Sequence, residues 1–338
     1  MVDIPAWAWA ATIAFIIGLF ILDLVVAVGR PHAVGIKEAA VWSTFYIAIA
    51  LLYGLAVWGF IGSTAGTEYY AGYIVEKSLS VDNLFVFVII MSRFEVPAKY
   101  QERTLLFGIM AALLLRVVLI AIGAAAISLF SFTFLLFGLI LIWTAVQLVR
   151  HRNEEPDVED NFLVRRARKL FPISDDYHGG KMLAHEDGRR VATPLLIVFV
   201  AIGSTDLLFA LDSIPAVYGI TGSAFLVFAC NAFALLGLRS LFFLIEGLLE
   251  RLVYLTIGLS AILAFIGVKL ILQFLHEDVA ESIPKIPTPV SLAVILLLLI
   301  VTTVASLLRV RSHPDEKAKA GSIRKRRRPR EEEESTTG

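Results

Sequence analysis

Two short stretches of this chain place acids inside otherwise apolar sequence. The first is Val75–Phe87, VEKSLSVDNLFVF, and the second is Ser204–Ala216, STDLLFALDSIPA. Each stretch holds two acids at the same six-residue separation. The four acids are Glu76, Asp82, Asp206 and Asp212. An acid at the centre of a bilayer costs about 2.5–3.5 kcal/mol on insertion scales, so each must be compensated by a cation, an arginine, a proton or water. The two stretches therefore predict a functional site inside a membrane.

The composition predicts a membrane protein made of helices. Of its 338 residues, 58% are hydrophobic, above the 45–50% of a typical soluble chain. A membrane-spanning helix needs about 20 mostly apolar residues. The sequence predicts an all-α polytopic protein with about nine transmembrane helices. The predicted spans are 7–28, 41–62, 67–92, 105–127, 129–149, 194–218, 223–245, 252–275 and 290–308.

Charge placement predicts the orientation of these spans. Lys and Arg are concentrated in alternate connections, above all in 150–193 and in the C-terminal tail, while the opposite side holds only Lys285. Positive charge marks the cytoplasmic side. We therefore expect a plasma membrane protein with its N-terminus outside and its C-terminus inside. Acids and bases balance at 30 each, which does not suggest a nucleic-acid partner.

The two acidic stretches belong to an internal repeat. In each copy the following span carries a lone arginine, Arg116 or Arg239. Each copy has three spans, so the two copies enter the membrane in opposite senses, as in many transporters. The predicted organisation has six parts: two N-terminal helices (1–66), a first repeat (67–149), a cytoplasmic loop (150–193), a second, inverted repeat (194–275), an outer loop with a ninth helix (276–308) and a disordered charged tail (309–338).

The polar groups in the spans are predominantly oxygen ligands. Besides the four acids, they include the side chains of Asn83, Ser213 and Asn231, whereas no histidine lies in a predicted span. Oxygen ligands suit hard cations such as Mn²⁺, Mg²⁺ or Ca²⁺ better than zinc or copper. Four acids against two arginines leave two negative charges, which one divalent ion balances. We expect the ion to be a transported substrate, with no tightly bound cofactor, and protons to be a coupling ion.

Helical geometry raises a question about how the acids of one stretch meet. Residues six apart on an unbroken helix differ by about 600° in rotation, so they do not share a face. Pro215 lacks an N–H and leaves the carbonyl of Leu211 without its helical partner. We therefore expect a break near Asp212 that lets the acids converge. The simpler interpretation is that the arginines pair with the acids and lock helices together. Asp23 in the first span either pairs with a neighbouring helix or lies on the ion path.

Three motifs resemble those of the TerC/Alx family of integral membrane proteins. They are GYIVEKSLSVDNLFVF (72–87), ATPLLIVFVAIGSTDLLFALDSIPAVYGIT (192–221) and CNAFALLGLRSLFFLIEG (230–247). The family takes its name from tellurium resistance, and its better-supported role is export of manganese or other divalent metals. The resemblance implies that the metal is held by Glu76, Asp82, Asn83, Asp206, Asp212, Ser213 and Asn231. The family often has a glutamate where this chain has Gly203.

These observations favour a Mn(II) exporter that works by alternating access, with membrane lipids, a divalent ion and protons as its partners. Arg116 and Arg239 would neutralise the acids when the ion is absent. One alternative is a membrane scaffold in metal or tellurite stress, or in metal delivery to exported proteins. A second is a Ca(II) transporter. A membrane enzyme with a metal-bound water is a weaker alternative, because no span offers histidine and no cytoplasmic motif indicates a substrate pocket.

Overall fold

The computed structural model describes residues 4–29, 35–130, 132–150, 174, 177, 181–186, 189–245 and 254–312. Ten helices and one hairpin lie in these ranges. They are α1 (Ala6–Gly29), α2 (Ile36–Phe60), α3 (Ser63–Arg93), α4 (Ala98–Leu129), α5 (Thr133–Arg150), β1 (Leu183–Glu186), β2 (Arg189–Ala192), α6 (Pro194–Tyr218), α7 (Ala224–Leu235), α8 (Leu238–Ile245), α9 (Leu255–Asp278) and α10 (Thr288–Ser312). Most of the cytoplasmic loop and of the tail predicted from the sequence lies outside the described residues.

The described helices make the chain a multi-pass membrane protein. Seven of them are long and apolar enough to cross a bilayer, and the pair α7 and α8, which meet at 41°, forms an eighth candidate span. Helix α3 also has the length of a span, but its charged and hydroxyl residues make it more polar than those seven helices. Buried polar helices of this kind sit inside a bundle, where neighbouring helices satisfy their side chains.

Helix α3 lies at the centre of the bundle, packed against α2, α6 and α7. Helix α4 packs along α6, and α5 packs along α9. The last pair approaches closely at two glycines: a Cβ at Gly138 would lie 2.8 Å from the carbonyl oxygen of Gly267. Helices α1 and α10 lie at the periphery and leave apolar side chains such as Val25 and Leu297 exposed, as a lipid-facing surface requires.

The predicted break near Asp212 is not present. Helix α6 runs unbroken from Pro194 to Tyr218, and Pro215 lies in its last turn. A proline so near the end disturbs few hydrogen bonds, because the helix already stops at Gly219. The break lies instead between α7 and α8, at Leu236 and Gly237, where Gly237 adopts a φ of +77°. Few residues other than glycine tolerate that backbone region.

A small antiparallel hairpin marks one side of the bundle. Strands β1 and β2 pair with Leu183 opposite Ala192, and Ser174 N–H donates to the Ala192 carbonyl at 2.9 Å. The Tyr177 hydroxyl donates to the Phe94 carbonyl at the turn between α3 and α4. The hairpin therefore lies beside this turn and the start of α6. We call this side of the molecule the hairpin side; by chain connectivity, the end of α1 and the starts of α2 and α4 face it too.

Candidate functional site

A buried arginine in the middle of α4 joins the two acidic stretches. Arg116 is fully buried. Its Nε donates to Asp206 Oδ2 at 3.0 Å and its Nη2 to Asp206 Oδ1 at 3.0 Å, while Nη1 pairs with Glu76. The two-point contact with Asp206 is the strong, geometrically specific arginine–carboxylate pair. The first acids of the two stretches, Glu76 and Asp206, therefore bind the same guanidinium. We call Arg116 and the side chains around it the central cluster.

Three neutral polar side chains complete the central cluster. Asn231 on α7 accepts from Arg116 Nη1 at 2.7 Å, and the Ser213 hydroxyl oxygen on α6 lies 3.3 Å from the same nitrogen. Asn83 on α3 donates to Asp206 Oδ1 at 3.4 Å. All three are buried. Side chains from α3, α4, α6 and α7 thus meet around one charge, in the interior of the bundle.

The central cluster has a surplus of negative charge. With both carboxylates ionised, Glu76 and Asp206 carry two charges against one on Arg116. Oxygen Oε2 of Glu76 is buried and has no hydrogen-bond partner among the described residues. An unpartnered buried oxygen of a charged group is costly. The arrangement is therefore suited to accept one more positive charge, as a proton or as part of a metal ion.

The second acids of the two stretches are placed differently. Asp212 is partly buried and accepts from the Thr144 hydroxyl on α5 at 2.8 Å. Because α6 is unbroken, six residues turn Asp212 away from the face that carries Asp206. Asp82 lies on α3, and its side chain is outside the described part of the structure. In the ranges that the structure describes, no three His, Cys, Asp or Glu side chains are grouped as a metal site.

Arg239 is not paired with Glu76, Asp206 or Asp212, the repeat acids whose side chains the structure describes, contrary to the expectation that it neutralises them. Its Nη2 donates to Asp23 Oδ1 on α1 at 2.7 Å, and its Nη1 pairs with Glu102 on α4. Tyr46 on α2 donates to the same oxygen of Asp23 at 2.9 Å. The break after α7 points Arg239 toward these helices. Asp23 thus has a neighbouring helix as its partner, one of the two roles expected for it.

The sequence reasoning missed Glu102 as a member of a cluster, and it expected the side chain of Lys77 to extend outward from its span, whereas that side chain contacts α7. Glu102 falls three residues before the start of the predicted fourth span, so it was assigned to a loop, although it is 4% exposed. Lys77 donates from Nζ to the carbonyl of Ala234 at 3.0 Å. That carbonyl lies in the last turn of α7, where a cation is favoured by the helix dipole. The position of Lys77 next to Glu76 was the available signal.

Gly203 has open space around it, since a Cβ there would meet no atom within 4 Å.

Comparison with known proteins assigns the chain to a family. The family model described as "Integral membrane protein TerC family" matches residues 61–313. The chain is 43% identical over 316 residues to an uncharacterized membrane protein of Myxococcus xanthus, covering 93% of this chain and 96% of the relative. It is 45% identical over 310 residues to an uncharacterized membrane protein of Mycobacterium tuberculosis, covering 88% and 78%.

A third relative carries a functional name. The chain is 36% identical over 299 residues to a protein of Photorhabdus laumondii named putative membrane-bound redox modulator Alx, covering 85% of this chain and 93% of the relative. No solved structure matches the chain. The family model covers most of the chain and includes both acidic stretches, and the three relatives align over 78–96% of their own length. The chain therefore belongs to the TerC family of integral membrane proteins.

Proposed function

We propose that this protein exports a divalent metal ion, Mn(II) before others, across the plasma membrane by alternating access with protons as the coupling ion. The observation that carries the proposal is the convergence of Glu76 and Asp206 on Arg116. These acids hold equivalent places in two acidic stretches, and they reach one buried point from two different helices. Acids inside membranes mark ion and proton pathways.

The charges of the central cluster support a divalent ion as the substrate. In the ion-free protein Arg116 takes the place of the cation between the two carboxylates. When Arg116 turns away, two negative charges remain, and one divalent ion balances them. Asn231 and Ser213 supply neutral oxygens beside these carboxylates, and Mn²⁺ favours such ligands. Asp82 and Asp212 lie further along the same two helices and serve the ion during its passage.

The proposed transport rests on an inverted repeat, in which α3, α4 and α5 correspond to α6, the pair α7–α8 and α9. Reciprocal packing supports this correspondence: α3 packs on α7 as α6 packs on α4. A Cβ at Gly138 would lie 2.7 Å from Ile271, and one at Gly267 would lie 2.9 Å from Ile142. With α3 as a further span the chain crosses the membrane nine times, with the hairpin side in the cytoplasm.

The redox role in the name of the Alx relatives is not part of this proposal. The chain has a single cysteine, so it cannot form a disulfide within itself. Cys230 is fully buried and its thiol donates to the Tyr69 carbonyl at 3.3 Å. Redox-sensing thiols are accessible and activated by nearby positive charge. Cys230 is therefore a packing residue of α7, and we propose no enzymatic activity.

Reconstituted transport tests the proposal. Purified protein in liposomes with an entrapped Mn²⁺ indicator is compared with Glu76→Gln, Asp206→Asn and an Asp82→Asn, Asp212→Asn double variant. Glu277→Gln is the matched control, because Glu277 is an exposed acid paired with Lys285. We expect flux in the parent and the control and none in the other variants. Equal background signal in all proteins, for Mn²⁺, Ca²⁺ and Mg²⁺ with a pH gradient, would reject transport and favour the scaffold.

A further inference from the structure

A second buried ionic cluster joins four helices near the hairpin side. Arg239 on α8 pairs with Asp23 on α1 and Glu102 on α4, and Tyr46 on α2 donates to Asp23. All four side chains are at most 5% exposed. Residues of the central cluster take no part in these contacts. We call this group the Arg239 cluster.

The Arg239 cluster is attached to the break in the eighth candidate span. Arg239 follows Gly237 by two residues, and Gly237 is the point of positive φ between α7 and α8. A Cβ at Gly237 would lie 2.8 Å from the ring of Tyr46. On the other side of the break, Lys77 holds the carbonyl of Ala234. Side chains from α2 and α3 thus fix both sides of a backbone hinge.

The Arg239 cluster lies between the central cluster and the hairpin side. Glu102 and Arg116 are fourteen residues apart on the unbroken helix α4, which is a rise of about 21 Å. Glu102 lies close to the hairpin-side start of α4, and Arg116 lies near its middle. An ion that moves between the hairpin side and the central cluster therefore passes the layer that Arg239, Asp23 and Glu102 occupy.

The contacts of the Arg239 cluster are suited to opening. Arg239 Nε is buried without a hydrogen-bond partner in the described structure, and one guanidinium faces two carboxylates. Buried ion pairs add little net stability, because desolvation offsets most of the attraction. Opening that admits water to the three charges restores their hydration, which offsets the attraction that is lost, whereas the pairs hold the cluster together while the bundle is dry. That combination is typical of elements with two arrangements.

We propose that the Arg239 cluster is the hairpin-side gate of the transport path, opened by rotation of α8 about Gly237. In the structure described, the gate is closed, with α8 held against α1, α2 and α4. Opening separates Arg239 from Asp23 and Glu102 and connects the central cluster to the hairpin side. The inference rests on the proposed transport function and adds a site to it, since Glu102, Tyr46 and Gly237 belong to neither acidic stretch.

A cysteine reporter tests the gate without using transport. Ser80 lies one helical turn from Glu76 toward the hairpin side and is fully buried. Ser80→Cys in a Cys230→Ala background gives a single thiol behind the closed gate. Its rate of reaction with a membrane-impermeant maleimide is measured from each side of sealed vesicles. The gate variants are Glu102→Gln, Asp23→Asn and Tyr46→Phe, and Glu277→Gln is the control outside the cluster.

We expect Glu102→Gln and Asp23→Asn to raise the hairpin-side labelling rate about tenfold, which corresponds to about 1.4 kcal/mol in the gate equilibrium. Tyr46→Phe removes only the hydroxyl and keeps the ring beside Gly237. We therefore expect this variant to fold and to show a smaller increase in the labelling rate. Labelling equal to the control in Tyr46→Phe and in folded Glu102→Gln would overturn the gate. Raised labelling without Mn²⁺ flux in the parent would keep the gate and reject the metal as substrate.

Discussion

At the scale of single residues, Arg116 determines whether two acids can remain buried. Removing one partner of a buried charge pair costs about 3–5 kcal/mol, because the other charge is left uncompensated. We expect Arg116→Gln to lower the free energy of unfolding by about this amount, measured by denaturant or thermal unfolding in detergent. Arg311→Gln, an exposed arginine at the end of α10, is the matched control and changes the stability little.

The same residue gives a test of whether the pairing itself is responsible. In Arg116→Gln combined with Asp206→Asn, the uncompensated charge is reduced, so part of the lost stability returns. A double-mutant cycle then gives a coupling of about 0.5–3 kcal/mol. If the two losses simply add, Arg116 acts by filling space and the ionic description of the central cluster is wrong.

At the scale of helices, the contact between α5 and α9 depends on two glycines. A Cβ at Gly138 would lie 2.8 Å from a backbone oxygen of α9 and 2.7 Å from Ile271. Since the backbone cannot yield cheaply, Gly138→Ala is expected to cost about 1–3 kcal/mol through overpacking. Gly203→Ala is the control, because the new Cβ has open space around it. Within a helix, alanine is more favourable than glycine by up to about 1 kcal/mol of folding free energy. Unfolding midpoints that move in the same direction for both would contradict this packing.

Also at this scale, the sequence predicts where helices lie better than where they break. Long apolar runs predict where the described helices lie, with ends that differ by up to seven residues, as for the predicted span 105–127 and α4 (Ala98–Leu129). They cannot show that Asp206 meets Arg116 while Arg239 meets Glu102, because a lone arginine in a span carries no information about its partner. Pro215 was the expected hinge since it removes a backbone N–H. The observed break is at Gly237, where a Cβ would lie 2.8 Å from the side chain of Tyr46, and a neighbour so far away in sequence leaves no local signal.

At the scale of the whole molecule, contacts close the central cluster from both sides. The Arg239 cluster lies toward the hairpin side. On the opposite side the Thr221 hydroxyl, just beyond α6, donates to Glu68 of α3 at 2.6 Å. Polar contacts between helices thus lie on both sides of the central cluster. Alternating access requires that one closure opens while the other holds.

Removal of the C-terminal tail is a test that distinguishes a transporter from a scaffold. Residues 313–338 contain almost no apolar side chains, a composition that does not form a packed core. We expect a chain ending at Ser312 to keep its Mn²⁺ flux in liposomes to within about twofold of the full chain, because a tail of this composition buries no core. A variant whose basic run, 324–330, is neutralised separates loss of the tail from loss of its attraction to anionic lipids. Fluxes are compared per inserted protein, since flanking positive charges also set orientation. The contradicting outcome is a truncated chain that inserts normally and keeps its flux, but protects cells from metal no better than cells without the protein are protected. Protection would then depend on partners of the tail, which favours the scaffold.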